Sequence, residues 1–204
     1  MNLNQSDNHS VVIGVTRHRF LAEVEKLADG VDQALERIIA AVPGPNRSLT
    51  LLSALAEGAD LLVAQRVLLR SRARLIVPLP LPLEDYRQDF SSENNWQEFR
   101  CTLAAAQKVV IFPEAGVRPQ VYQAAEKYIL ENCDVLIALW DGQPALEPGG
   151  TGEVGLRARA RGMPIAWVHC GNRDPQTNQS ISLSEEQGTV SFEQFEGLWP
   201  GEGI

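Results

Sequence analysis

The stretch DVLIALWDG at residues 134–142, followed by PGGTGE at 148–153 and an Arg/Ala-rich run to residue 162, sets the architecture. Val135 to Trp140 form an unbroken apolar run between two aspartates, the length and character of a strand covered on both faces. A glycine-rich turn and a helix-forming run come after it, so the unit reads as strand, turn, helix. Such a helix start carries unpaired backbone N–H groups and the positive end of a dipole, an arrangement that accepts a phosphate. Glu153 falls in the first helical turn, where a bound sugar would meet it.

On either side of this unit the pattern repeats. Apolar runs at 11–16, 49–55, 74–80, 108–113, 134–140 and 164–169 are separated by helical stretches. Leu27, Val31, Leu35, Ile38 and Ile39 follow helical spacing within 21–41, and residues 59–72 and 121–132 read likewise. Strands alternating with helices make right-handed parallel crossovers the expected connection. The fold class predicted is α/β, a Rossmann-like doubly wound sheet of about six mostly parallel strands flanked by helices. Residues 1–10 read as a flexible N-terminal segment, 11–170 as the domain, and 171–204 as a polar C-terminal extension with a weak edge strand at 189–192. Residues 79–95 form a long excursion after the third strand, of the kind that covers a site.

Composition narrows the function classes. The chain has 204 residues, 44% of them hydrophobic, enough for one sizeable core without a membrane-length apolar run. Lys and Arg number 18 against 26 Asp and Glu, a net charge of −8, which argues against direct nucleic-acid binding. Arg66, Arg70, Arg72 and Arg74 form a local basic patch, read as a solvated helix face. The N-terminus lacks the basic-then-apolar pattern of a signal peptide, so a cytoplasmic setting is expected. Cys101, Cys133 and Cys170 are odd in number and widely spaced, which fits reduced, buried thiols better than disulfides or a zinc site. No CxxC or HxxxH spacing occurs, so neither a metal nor a cofactor is expected.

In an open parallel sheet, ligands bind beyond the carboxyl ends of the strands, where chain progression reverses. The candidate site is therefore made of the residues just beyond each strand. After the first come Thr16, Arg17, His18 and Arg19, a hydroxyl, two permanent cations and a titratable ring suited to a phosphate. After the second come Glu57, Gly58 and Asp60 at another helix start, where the acids also serve the helix dipole. After the third come Tyr86 and Asp89. After the fifth come Asp141, Gly142 and the Gly149, Gly150, Thr151, Gly152, Glu153 turn, whose three glycines exceed what a plain cap needs. There is no Walker GK[ST] and no GxGxxG after the first strand.

At these residues the chain resembles the SLOG superfamily, which includes the LOG phosphoribohydrolases and the DNA-processing Smf/DprA proteins. The resemblance runs from about residue 11 to 168 through VIGVTRHR (12–19), the 53–60 segment, the 79–90 segment with Tyr86, Asp89 and Phe90, and the 134–142 and 149–153 pair. It implies a nucleotide-like ligand at the strand ends with the glycine turn on its phosphate, and a homodimer formed through helices. LOG enzymes carry Pro-Gly-Gly-x-Gly-Thr-x-x-Glu with a catalytic glutamate. Here the motif is shorter, Glu153 standing two residues after Thr151, and Arg17 stands where relatives commonly have glycine. The Glu153-Val154-Gly155 element is also similar to nucleoside deoxyribosyltransferases, in which a glutamate nucleophile faces the sugar. Both resemblances imply N-glycosidic chemistry with Glu153 as the principal carboxylate and Asp141 as the second. The shortened spacing favours binding over catalysis. A sensor module for a nucleotide-derived signal and a DNA-processing accessory are the rival classes.

Overall fold

The computed structural model describes residues 9–16, 18–112, 117–143, 151–174, 176–177, 179–181 and 185–198. Its elements run β1 (Ser10–Val15), α1 (Val24–Ala41), β2 (Ser48–Leu52), α2 (Ala59–Leu68), β3 (Ala73–Leu79), α3 (Leu83–Tyr86), α4 (Glu93–Ala104), β4 (Lys108–Ile111), α5 (Arg118–Asn132), β5 (Val135–Trp140), α6 (Thr151–Ala160), β6 (Ile165–His169), β7 (Asn172–Arg173), β8 (Ser180–Ile181) and β9 (Val190–Glu193). The fold is α/β and Rossmann-like. The six predicted strands are all present and parallel, and β9 joins them as a seventh, antiparallel edge strand on β6. Residues 1–8 of the predicted N-terminal segment lie outside the described residues, and Ser10 already belongs to β1.

The order across the sheet is β4-β3-β2-β1-β5-β6-β9. The chain builds outward from β1 to β4, then returns to the other side of β1 to lay down β5. Progression thus reverses between β1 and β5, where Gly14 pairs with Leu136 and Val15 with Ile137. All six residues of β5 are buried. Alternate side chains divide between two cores: Val135, Ile137 and Leu139 pack with α1 and α2, while Leu136 and Ala138 pack with Leu130, Val154 and Ala158 of α5 and α6. This two-sided cover is the reason β5 is apolar throughout. By contrast β4, at the sheet edge, has no fully buried residue.

Two segments carry more structure than their sequence suggested. The excursion at 79–95 holds α3, a 3-10 turn at Arg87–Asp89 and the start of α4, whose polar leader is a helix cap: the Ser92 hydroxyl accepts from the Asn95 amide at 3.1 Å. The C-terminal extension is fastened to the domain. Gln187 accepts from the Gly171 amide (2.7 Å) and donates to the Ala22 carbonyl (2.8 Å). Gly30 of α1 lies so close beneath the Gly188 carbonyl that a Cβ would stand 2.3 Å from the oxygen. Glu193 of β9 receives both arms of Arg159 at 2.7 Å, and that guanidinium lies over the Trp140 and Trp167 rings.

Candidate functional site at the reversal of the sheet

Thr16 follows β1 at the reversal, its amide donating to the Ile137 carbonyl of β5 at 3.2 Å. It is 1% exposed, and its hydroxyl oxygen is buried without a hydrogen-bond partner. His18, two residues on, is 7% exposed and its Nε2 is likewise unpartnered. A buried polar group left unpaired costs roughly 1–3 kcal/mol, so each of these atoms calls for a partner, either an ordered water or a ligand. Burial holds the His18 imidazole below its ordinary value, and the Asp141 carboxylate pulls in the other direction. The ring is therefore neutral at pH 7, one nitrogen a donor and the other an acceptor. Arg19 is exposed, and Arg17 lies outside the described residues.

From β5, Asp141 turns its carboxylate back on its own loop, accepting from the Gln143 amide at 3.0 Å. Gly142 has φ +78°. At α6, Glu153 is ion-paired with Arg157 one turn later. Gly149 and Gly150 lie outside the described residues, as does the side chain of Thr151, although α6 begins at Thr151 and takes in Gly152. Thr16 and His18 thus follow β1 and Asp141 follows the neighbouring β5, close enough for the Asp141 charge to act on the His18 ring.

The remaining predicted site residues carry structural contacts. Glu57 accepts from the Ser91 amide (2.8 Å), the Ser91 hydroxyl (2.5 Å) and the Asn95 side chain (2.6 Å), pinning the leader of α4. Gly58 sits against the loop after β1, and the Ala59 amide donates to the His18 carbonyl at 2.9 Å. Tyr86 is 1% exposed, its hydroxyl donating to the Ala54 carbonyl at 3.2 Å and its ring packed among Phe90, Phe99 and Tyr122. Asp89 is bonded to Arg118 (2.8 Å) and to the Tyr122 hydroxyl, which fastens the start of α5.

Two residues that sequence reasoning underweighted or missed lie beside Thr16. Asp60, 1% exposed in the first turn of α2, accepts from the Ser53 hydroxyl (2.9 Å) and the Ala56 amide (3.3 Å). Its acid-at-helix-start pattern matches a dipole partner; its burial is what sets it apart. Glu126 of α5 is 8% exposed. Nothing in its sequence neighbourhood marks it, since an acid within an amphipathic helix is ordinarily solvated. Thr16, Asp60 and Glu126 line one small internal cavity with apolar neighbours that include Val15, Ala54, Ile129 and Val154.

Arg66 and Arg70 are tied to Asp32, the latter at 2.8 Å, and Arg72 to Asn46 at 2.9 Å. Hydrogen bonding to Arg66 holds the Asp32 carboxyl below its usual range. Most of the predicted basic patch is thus engaged in internal pairs. Among the described residues, no helix is long and apolar enough to cross a membrane, and no cluster of three or more His, Cys, Asp or Glu side chains could hold a metal ion. Neither a family model nor a curated protein matches the sequence.

Proposed function

We propose that the chain binds a nucleoside phosphate in the crevice between the ends of β1 and β5, as its SLOG-like motifs imply. The observation that carries this reading is the buried, unpartnered hydroxyl of Thr16 at the point of reversal. Leaving such an atom unpaired costs free energy, which a polar atom of a ligand at this point would offset. His18 beside it offers a neutral ring, and Arg19 an exposed cation that offsets phosphate charge. The amino end of α6 contributes its dipole. Binding without turnover is the form of the reading best supported, because the glycine-rich motif is shortened and Glu153 stands only two residues after Thr151.

Thr16→Val tests the assignment. It removes a hydroxyl that makes no bond in the ligand-free fold, so stability should stay level or rise slightly while nucleotide affinity falls about tenfold. A screen by thermal shift against nucleoside monophosphates, nucleosides and dinucleotides identifies the ligand class. Absence of stabilisation by every nucleotide overturns the proposal.

Base release is the second reading, favoured by the position of Glu153 in the first turn of α6. In that case Glu153 serves as nucleophile or acid–base group, with Asp141 assisting. Glu153→Gln should then keep nucleotide binding and abolish release of free base. Undiminished release by that variant removes Glu153 from the chemistry, and no release by the wild type leaves a sensor.

A further inference from the structure

We propose that Ser191, His169 and Glu186 form a second site, apart from the crevice, that hydrolyses short, uncharged carboxylic esters through a serine–histidine–carboxylate triad. His169 ends β6, and Ser191 lies on β9, the edge strand paired with it. Both nitrogens of the His169 ring are engaged: Nε2 stands 2.8 Å from the Ser191 hydroxyl oxygen, and Nδ1 stands 3.1 Å from Oε2 of Glu186. A carboxylate at Nδ1 holds the ring proton there, which leaves Nε2 to accept the proton of the serine. Nucleophile, base and orienting acid thus stand in the sequence that serine hydrolysis requires.

The surroundings suit that chemistry. The imidazole lies flat against Trp167, ring centroids 4.1 Å apart and planes 13° apart, and that indole is fixed by its own Nε1, which donates to the Trp140 carbonyl at 2.8 Å. Its π face stabilises the imidazolium that forms when His169 takes the proton. Because the His169 amide donates to the Thr189 carbonyl, Ser191 turns its backbone groups toward β6 while Val190 and Phe192 turn theirs outward. β9 is the last strand of the sheet, so the Phe192 amide, next along from the nucleophile, faces the open edge as a donor for an oxyanion. In the reaction the Ser191 oxygen bonds to the ester carbonyl carbon as Nε2 takes its proton. That proton passes to the departing alkoxide as the ester C–O bond breaks, leaving acyl-Ser191 and a free alcohol. Water, giving a proton to the same nitrogen, then releases the carboxylic acid and restores the serine. Ser191 and Glu186 are exposed, so the ester arrives from solvent, and the Glu186 charge favours a neutral one.

The experiment follows 4-nitrophenol release from 4-nitrophenyl acetate by the full chain, and maps by mass spectrometry the residue that a fluorophosphonate probe labels with loss of fluoride. The wild type should turn over and carry the label on Ser191. Ser191→Ala and His169→Gln should each lower kcat/KM about a hundredfold or more. Glu186→Gln keeps the shape and removes the charge, so kcat should fall about tenfold at unchanged KM, the split expected of a positioning residue. Release by Ser191→Ala at the wild-type rate overturns the triad, as does a label on the exposed Cys101 in place of Ser191. Unchanged kcat in Glu186→Gln also overturns it, and so does a wild type that neither turns over nor takes the label. Should Ser191→Ala fail to fold, the position of the label on the wild type decides.

Discussion

Gly58 lies directly under the backbone carbonyls of His18 and Arg19, so that a Cβ at this position would stand 2.3 Å from each oxygen. Its φ is +95°. The turn after β2 therefore approaches the loop after β1 as closely as backbone allows. Gly58→Ala should cost roughly 2–4 kcal/mol, from left-handed strain added to a collision with backbone that cannot swing aside. The check is the urea midpoint, which should fall markedly at unchanged m-value.

Glu57 holds the leader of α4 through Ser91 and Asn95. Glu57→Ala releases those hydrogen bonds at a partly exposed site and should lower stability by about 1–2 kcal/mol. More specifically, amide exchange and proteolytic cleavage around residues 87–95 should speed up while the β5 core stays protected. Uniform loosening across the sheet would contradict this local role.

His18 gives stability a pH dependence whose sign is fixed. Its folded-state value is depressed by burial, so at pH above the ordinary 6.5 both folded and unfolded forms are neutral and the full stability is present. As pH falls through 6.5 the unfolded chain takes up a proton that the folded chain refuses, and stability drops by up to about 1.4 kcal/mol per pH unit until the folded value is reached. The nearby Asp141 charge moderates the slope. Chemical denaturation at pH 7.5 and 5.5 should show the loss, and His18→Gln should remove most of it. The depressed carboxylates Asp32 and Glu193 act in a separate window, below their ordinary values of 3.8 and 4.5.

Burial pushes the Cys133 and Cys170 thiols up to about 12, with Asp134 and Asp141 respectively adding to the effect. Cys101 is exposed. At pH 8 the native protein should react with a disulfide reagent at one thiol quickly and at the other two only as it unfolds, because the thiolate is the reactive form. Three rapid equivalents under native conditions would show that the two inner cysteines are accessible.

The layout of the sheet was legible because β5 and its neighbours are covered on both faces, and continuous apolar runs are the direct consequence of that cover. Helix α4 was not, because its first turn is all polar and its buried Trp96, Phe99 and Thr102 are diluted by exposed positions. The same limit applies to the site. Thr16 and His18 could be named from their place after β1, whereas Glu57, Tyr86 and Asp89 share that kind of position and are bound to neighbouring segments.

Periodicity and apolar run length are local properties, and they suffice for the succession of strands and helices, the parallel sheet and the strand ends at which polar groups gather. Which of those polar groups are already engaged is settled by contacts between segments far apart in the chain. Glu57 and Ser91 are 34 residues apart in sequence, Asp89 and Arg118 29. A carboxylate bound to a neighbour and a hydroxyl left without one look alike until those segments meet. That is why DVLIALWDG pointed to the ends of β1 and β5, and why Thr16, Asp60 and Glu126 met around one small cavity only once α2 and α5 had closed around β1.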